Sequence, residues 1–230
     1  MASIFFAFCA IIRIFVLKPK FIYMREVNPK ETNRAKAFEL WMRSPMPMVT
    51  MTKSFDITRL RRLSRRRGLK LNMLMCYAIG RAASDFAEFY LLPVGDKLMQ
   101  FDNLAINTIV MTKSGDIATC DIPFSSDIHT FAADYLRLTE QVARSGEEFN
   151  LGDDYMVIGT SALTKCELDS VVNLYAGFYN NPFVVWGKYR KGILRTKLPV
   201  SFQFHHTQMD GPISTGFLNR LQEVFDSIEY

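Results

Sequence analysis

Histidine is scarce in this chain and paired cysteine motifs are missing from it: the sequence holds 3 His and 4 Cys. Cys9, Cys76, Cys120 and Cys166 stand far apart with no Cys-x-x-Cys among them, which argues against a zinc site and reads as a reduced, cytoplasmic protein. No internal repeat and no low-complexity linker divides the chain. The apolar stretch at residues 4–17 is interrupted by Arg13 and falls short of the roughly 20 residues that a membrane span needs. It also has neither the positive charge before it nor the small-residue cleavage site after it that mark a secretory signal. Residues 1–20 are therefore read as an apolar extension outside the fold or an over-long start before Met24, with a core element or a weak membrane contact as the other readings. Residues 21–230 are read as one domain.

A large excess of either charge is absent as well. With 28 Lys+Arg against 23 Asp+Glu the formal charge is +5, a mild preference for an anionic ligand that does not call for nucleic acid. What the chain has in quantity is apolar residues, 49% of 230, ample for a real core. Their spacing predicts strands at 21–27 and 48–55, and helices at 30–43, with Phe38, Leu40 and Trp41 partly buried, and at 56–67. A strongly apolar, central helix follows at 71–86. Short strands are expected between 89 and 121, divided by turn signals at Pro93-Val94-Gly95-Asp96 and Ser114-Gly115-Asp116. A helix at 126–143 opens on Ser126-Asp127 as its cap. Strands at 155–162, 168–174, 183–189 and 198–204 and a helix at 214–228 complete an α/β layered domain. Within the 56–67 helix, six arginines surround Leu60 and Leu63; this is read as a solvated amphipathic face, because no aromatic platform or nucleic-acid motif adjoins it.

Two of the three histidines are adjacent, in Phe202-Gln203-Phe204-His205-His206-Thr207-Gln208-Met209-Asp210-Gly211. Alternation along the strand sends His205 and His206 to opposite sides, so they cannot share one role. A histidine where a strand gives way to a turn is a candidate general base, with simple packing as the alternative.

The pattern His-His-x-x-x-Asp-Gly resembles the active-site motif of the CoA-dependent acyltransferase superfamily, and most closely that of the chloramphenicol acetyltransferases. The resemblance extends in order and spacing to Asn33-Arg34-Ala35-Lys36-Ala37-Phe38-Glu39, Phe55-Asp56-Ile57-Thr58, Pro123-Phe124-Ser125-Ser126-Asp127-Ile128, Thr160-Ser161-Ala162-Leu163, Trp186-Gly187-Lys188-Tyr189 and Leu218-Asn219-Arg220-Leu221. It covers roughly residues 21–228.

The resemblance implies a two-layer mixed-sheet sandwich with packed helices, and an acetyl-CoA-dependent O-acetyltransferase acting on a hydroxyl of a small molecule, chloramphenicol or another. It implies His206 as general base and Ser161 as the hydroxyl that stabilises the oxyanion. Asp210 would pair with Arg34 to hold the catalytic loop instead of relaying charge to the histidine. Lys188, Tyr189 and Lys70 would lie along CoA, and Leu40 and Trp41 in the substrate pocket, beside an adaptable cluster formed by Met46 and Met48. A homotrimer with active sites between subunits is expected, with no metal and no nucleic-acid partner. Val185 stands where the family often has a threonine, so the oxyanion site is altered. The competing expectation is a catalytically weak or inactive relative that binds CoA or a small molecule, or serves in assembly.

Overall fold

The computed structural model describes residues 24–175 and 177–230; residues 1–20 and the first three residues of the expected 21–27 strand lie outside them. In chain order the elements are β1 (Met24–Val27), a 3-10 turn (Pro29–Glu31), α1 (Ala35–Trp41), β2 (Met48–Asp56), α2 (Thr58–Arg67) and α3 (Leu71–Ala83). A short 3-10 turn (Ala87–Tyr90) leads to β3 (Leu91–Val94), β4 (Lys97–Phe101), β5 (Asn103–Met111), β6 (Ile117–Pro123) and α4 (Ile128–Ser145). After another 3-10 turn (Gly152–Asp154) come β7 (Tyr155–Leu163), β8 (Phe183–Gly187), β9 (Arg190–Lys191), β10 (Thr196–His205) and α5 (Gly211–Ser227).

Among the described residues the strands form two sheets. A small antiparallel one runs β1-β4-β3, and a large one runs β2-β10-β8-β7-β5-β6, with β9 paired to β10. The large sheet is mixed: β7 lies parallel to β5 and β8, and its other pairs are antiparallel. Register decides which side of it is apolar. Phe202 faces Met51 and Val184, Val200 faces Trp186, and Ile106 faces Ile158, so these side chains share one face, where α3 and α5 pack. Ten of the 13 residues of α3 are buried, which makes it the central helix that its composition predicts, and Phe202, Phe217 and Phe89 interlock beneath it with ring centroids 4.7–6.0 Å apart. The result is a helical layer over a mixed sheet, the α/β two-layer sandwich expected from the sequence.

The opposite face of the large sheet carries a row of hydroxyls across its middle. Register aligns Thr52, Ser201, Val185 and Ser161 across four strands, and Thr52 Oγ1 and Ser201 Oγ are 2.9 Å apart. Against this face lies the segment between β7 and β8. The strand predicted at 168–174 is not formed there. Ser201 Oγ accepts from the Val171 N–H at 2.9 Å, and Gln203 Nε2 donates to the Asn173 carbonyl at 3.1 Å, so the backbone is satisfied by side chains instead of a neighbouring strand.

The helix predicted at 30–43 is also interrupted. Thr32 Oγ1 donates to the Pro29 carbonyl and accepts from the Arg34 N–H, a local hydroxyl arrangement that competes with helix propagation. α1 therefore starts only after Arg34. Turn chemistry behaves as read: Gly95, at φ 59°, supplies the left-handed position of the two-residue β3–β4 hairpin, and Asp127 accepts from the His129 and Thr130 N–H groups to cap α4. No helix among the described residues is long and apolar enough to cross a membrane.

Candidate active site

β10 delivers the two histidines. Phe202 and Phe204 enter the core, and His205, on the other face, is 2% exposed. Its Nδ1 accepts from the Thr207 N–H at 3.1 Å. Burial, with the neighbouring His206 adding to it, lowers the His205 pKa to about 4, so the ring is neutral near pH 7 and helps shape the turn.

His206 is the first residue beyond the strand. Its N–H donates to the Pro47 carbonyl at 2.8 Å, which continues the β2–β10 pairing by one bond. The imidazole stacks on the Trp41 indole, with centroids 4.5 Å apart and planes 7° from parallel. On its edge, Nδ1 is 3.2 Å from the Met209 carbonyl oxygen. A carbonyl oxygen can only accept, so Nδ1 carries a proton, and in the neutral ring the lone pair is on Nε2. The ring is thus held by a flat contact and an edge contact in the tautomer required of a base acting through Nε2.

The loop carrying it is fixed by Arg34, 2% exposed, at the start of α1. Arg34 Nε donates to the Thr207 carbonyl at 2.9 Å, Nη2 to the His206 carbonyl at 3.2 Å, and Nη1 to Asp210 Oδ2 at 2.9 Å. Three acceptors at the angles of a planar fork are a geometry that guanidinium meets and an ammonium does not. Asp210 is also the N-cap of α5 and accepts from the Ile213 N–H. Burial alone would raise its carboxyl, but the hydrogen bond and charge of Arg34 outweigh that and hold it below the usual carboxylate range.

Arg34, Trp41, His206 and Asp210 are therefore brought together by one protomer. Ser161 is not. It lies in β7, two strands from β10 and level with Ser201; five residues at 3.3 Å and two strand spacings of 4.8 Å put it about 19 Å from His206. Lys188 and Tyr189 follow β8. Lys188 is exposed, while the Arg61 guanidinium of α2 covers the half-buried Tyr189 ring at 5.1 Å. The Arg61 group, with Lys191 and Arg65 nearby, pulls the Tyr189 hydroxyl below its ordinary pKa. Lys70 is exposed at the opposite end of α2, beyond Gly68 and at the N-cap of α3.

Leu40, expected to be partly buried, is 57% exposed, because the seven-residue α1 contributes no residue to the core; Trp41 is half-buried against His206. Val185 is buried on the Ser161 face. Three contacts escape sequence reasoning: the Trp41 stack, the Met209 carbonyl on Nδ1 and the Arg61 cover on Tyr189. The first and third join side chains far apart in the chain, and the second depends on the turn geometry of 207–209.

Comparison with known proteins agrees with this architecture. The family model described as chloramphenicol acetyltransferase matches residues 22–222. Chloramphenicol acetyltransferase 3 of Escherichia coli is 29% identical over 84% of this chain and 93% of its own length, and a chloramphenicol acetyltransferase of Clostridium perfringens is 26% identical over 88% and 98%. Among solved structures, a chloramphenicol acetyltransferase superposes with a TM-score of 0.77 at 18% identity, covering 88% of this chain and 99% of its own. A probable dihydrolipoamide acetyltransferase from Listeria monocytogenes has the same fold, with a TM-score of 0.64 at 15% identity over 88% and 93%. On the match from 22 to 222, the chain belongs to the chloramphenicol acetyltransferase family.

Proposed function

We propose that the protein is an acetyl-CoA-dependent O-acetyltransferase that moves an acetyl group to a hydroxyl of a small molecule by direct transfer. The observation that carries this reading is the placing of His206: pinned at Nδ1 by the Met209 carbonyl and stacked on Trp41, so that the neutral ring has Nε2 as its basic nitrogen. His206 Nε2 takes the acceptor hydroxyl proton as that oxygen attacks the thioester carbonyl. The imidazolium then returns the proton to the departing thiolate sulfur as the C–S bond breaks, so no acyl-enzyme is formed. Ser161 donates its hydroxyl to the oxygen that becomes negative only in the transition state. Val185 adds no donor to that face and Ser201 Oγ is engaged by Thr52 and the Val171 N–H, so Ser161 is the side-chain hydroxyl assigned to this task.

Because Ser161 and His206 are about 19 Å apart along one sheet, the Ser161 that serves a given His206 comes from another copy. A closed heterologous ring, in which each copy offers one half-site to the next, satisfies this requirement; a trimer is the ring we expect. The exposed side chains of Val172, Leu174, Phe178 and Tyr179, beside the Ser161 face, support burial of that region against a neighbour. Lys188, Tyr189 and Lys70 are assigned to acetyl-CoA, with the lysines facing its phosphates. Leu40 and Trp41 are assigned to the acceptor, chloramphenicol being one to try. A cytoplasmic location is consistent with the free thiols of Cys76, Cys120 and Cys166.

The test is thiol release from acetyl-CoA across a panel of hydroxyl compounds, with His206→Ala as control. The expected outcome is turnover on at least one acceptor that falls by a factor of about 10² to 10⁴ in the variant. Release at equal rates by both proteins would defeat the assignment. Acetyl-CoA binding without turnover on any acceptor would favour the inactive-relative reading, which Val185 and the changed pocket at Leu40-Trp41 and residues 44–48 support.

A further inference from the structure

Apart from Arg61, which covers the Tyr189 ring assigned to acetyl-CoA, the arginine face of α2 and the turn between β9 and β10 are given no part in the chemistry above. Six of the ten residues of α2 are arginine. Arg59 has Glu229 at 3.8 Å and Arg61 is occupied by Tyr189. Among the described residues no carboxylate comes within 4.0 Å of the guanidinium groups of Arg62, Arg65, Arg66 or Arg67. A groove beside the helix has Arg61, Arg62, Arg65 and Arg66 along one wall and Ile193 and Leu194 on the other. Those two residues are 102% and 86% exposed. They project from a tight turn closed by the Gly192 N–H donating to the Arg195 carbonyl at 2.8 Å, with Lys191 and Arg195 on either side. Asp56, just ahead of α2, is already shared by Arg195 and Lys197.

We propose that this face binds an anionic membrane surface, the α2 guanidinium groups meeting lipid phosphates while Ile193 and Leu194 enter the headgroup boundary. Two independent features select this partner. The unneutralised arginines form an array about 15 Å long on a rigid helix, complementary to a plane of phosphates. The protruding aliphatic pair then distinguishes lipid from nucleic acid, which would be read with aromatic stacking platforms and has no pocket for an exposed Ile-Leu tip. Leu60 is buried and Leu63 half-buried beneath the helix, so α2 keeps its apolar side in the fold. The turn tip, not the helix, is the group that inserts.

The experiment uses full-length protein sedimented with phosphatidylcholine vesicles, with and without phosphatidylglycerol, at low and physiological salt. Arg62→Glu/Arg66→Glu and Ile193→Ser/Leu194→Ser are compared with wild type, and thermal melting shows whether each variant folds. Binding is expected only to the anionic vesicles, to weaken as salt is raised, and to fall about tenfold or more in either double variant while the melting temperature is unchanged. Equal binding to neutral vesicles, or no binding to either, overturns the proposal. So does anionic binding that both variants retain, which would place it elsewhere on the chain. A fluorescent single-stranded RNA run in parallel decides the remaining case: RNA bound more tightly than vesicles, and lost on charge reversal but kept with Ile193→Ser/Leu194→Ser, makes the face a nucleic-acid surface and ends the lipid assignment.

Discussion

His205 shows how one residue sets a pH limit on a site whose chemistry it does not perform. Its folded pKa is lowered from 6.5 to about 4 by burial and by His206, so between those values the unfolded chain takes up a proton that the folded protein refuses. Stability is therefore full above about pH 6.5, declines as the pH falls toward 4, and changes no further on this account below that; the total is about 3 kcal/mol. His205→Asn, whose Oδ1 can accept from the Thr207 N–H as Nδ1 does, removes the titration. Melting temperature measured from about pH 7 to 4.5 is expected to fall steeply in wild type and less steeply in the variant. Parallel curves would show that another group sets the limit. The adjacent His206, half-exposed and stacked, is free of this burial because it lies one residue past the strand end, and that single step separates a folding histidine from the proposed base.

At the scale of elements, the turn between β10 and α5 is tied to α1 by Arg34 and Asp210, and the two partners are unequal. Arg34 is buried with three acceptors, whereas the Asp210 side chain is 40% exposed. Arg34→Ala leaves two loop carbonyls and a carboxylate without their donor and is expected to cost about 3–5 kcal/mol. Asp210→Ala loses an N-cap and a solvent-screened ion pair, about 2 kcal/mol, and Asp210→Asn, which keeps the cap, about 1 kcal/mol. Urea unfolding checks the order Arg34→Ala, Asp210→Ala, Asp210→Asn, and a reversed order would mean that the carboxylate, not the guanidinium, organises the turn. Elements with a continuous apolar signal, α3 and the alternation of β10, are legible in the sequence, as is the Asp127 cap of α4 from its residue type. The misread ones were those where a side chain takes over backbone hydrogen bonding, Thr32 within the expected 30–43 helix and Ser201 opposite the expected 168–174 strand. The site divides along the same line. Arg34, His206 and Asp210 could be named from their motif, but the Trp41 stack and the exposure of Leu40 depend on how a seven-residue helix sits against a loop 172 residues away in sequence from Arg34, which spacing does not encode.

On the scale of the whole molecule, the sheet register separates the proposed catalytic groups more than any side-chain motion can repair. Five residues along β10 and two strands across are rigid distances, so Ser161 can serve only a His206 outside its own protomer. Coexpression of His206→Ala and Ser161→Ala chains tests this directly. Each variant alone is expected to be nearly inactive, Ser161→Ala through loss of an oxyanion donor worth a factor of about 10² to 10³. In mixed rings, a subunit that retains His206 can face one that retains Ser161, and with random equal mixing that occurs at about a quarter of the interfaces of a cyclic assembly. Thiol release by the coexpressed mixture should therefore recover to about a quarter of the wild-type rate. A mixture no more active than its parents would mean that each site is completed within a single chain, and the face carrying Ser161, Val185 and Ser201 would then need a role other than the second half of the active site.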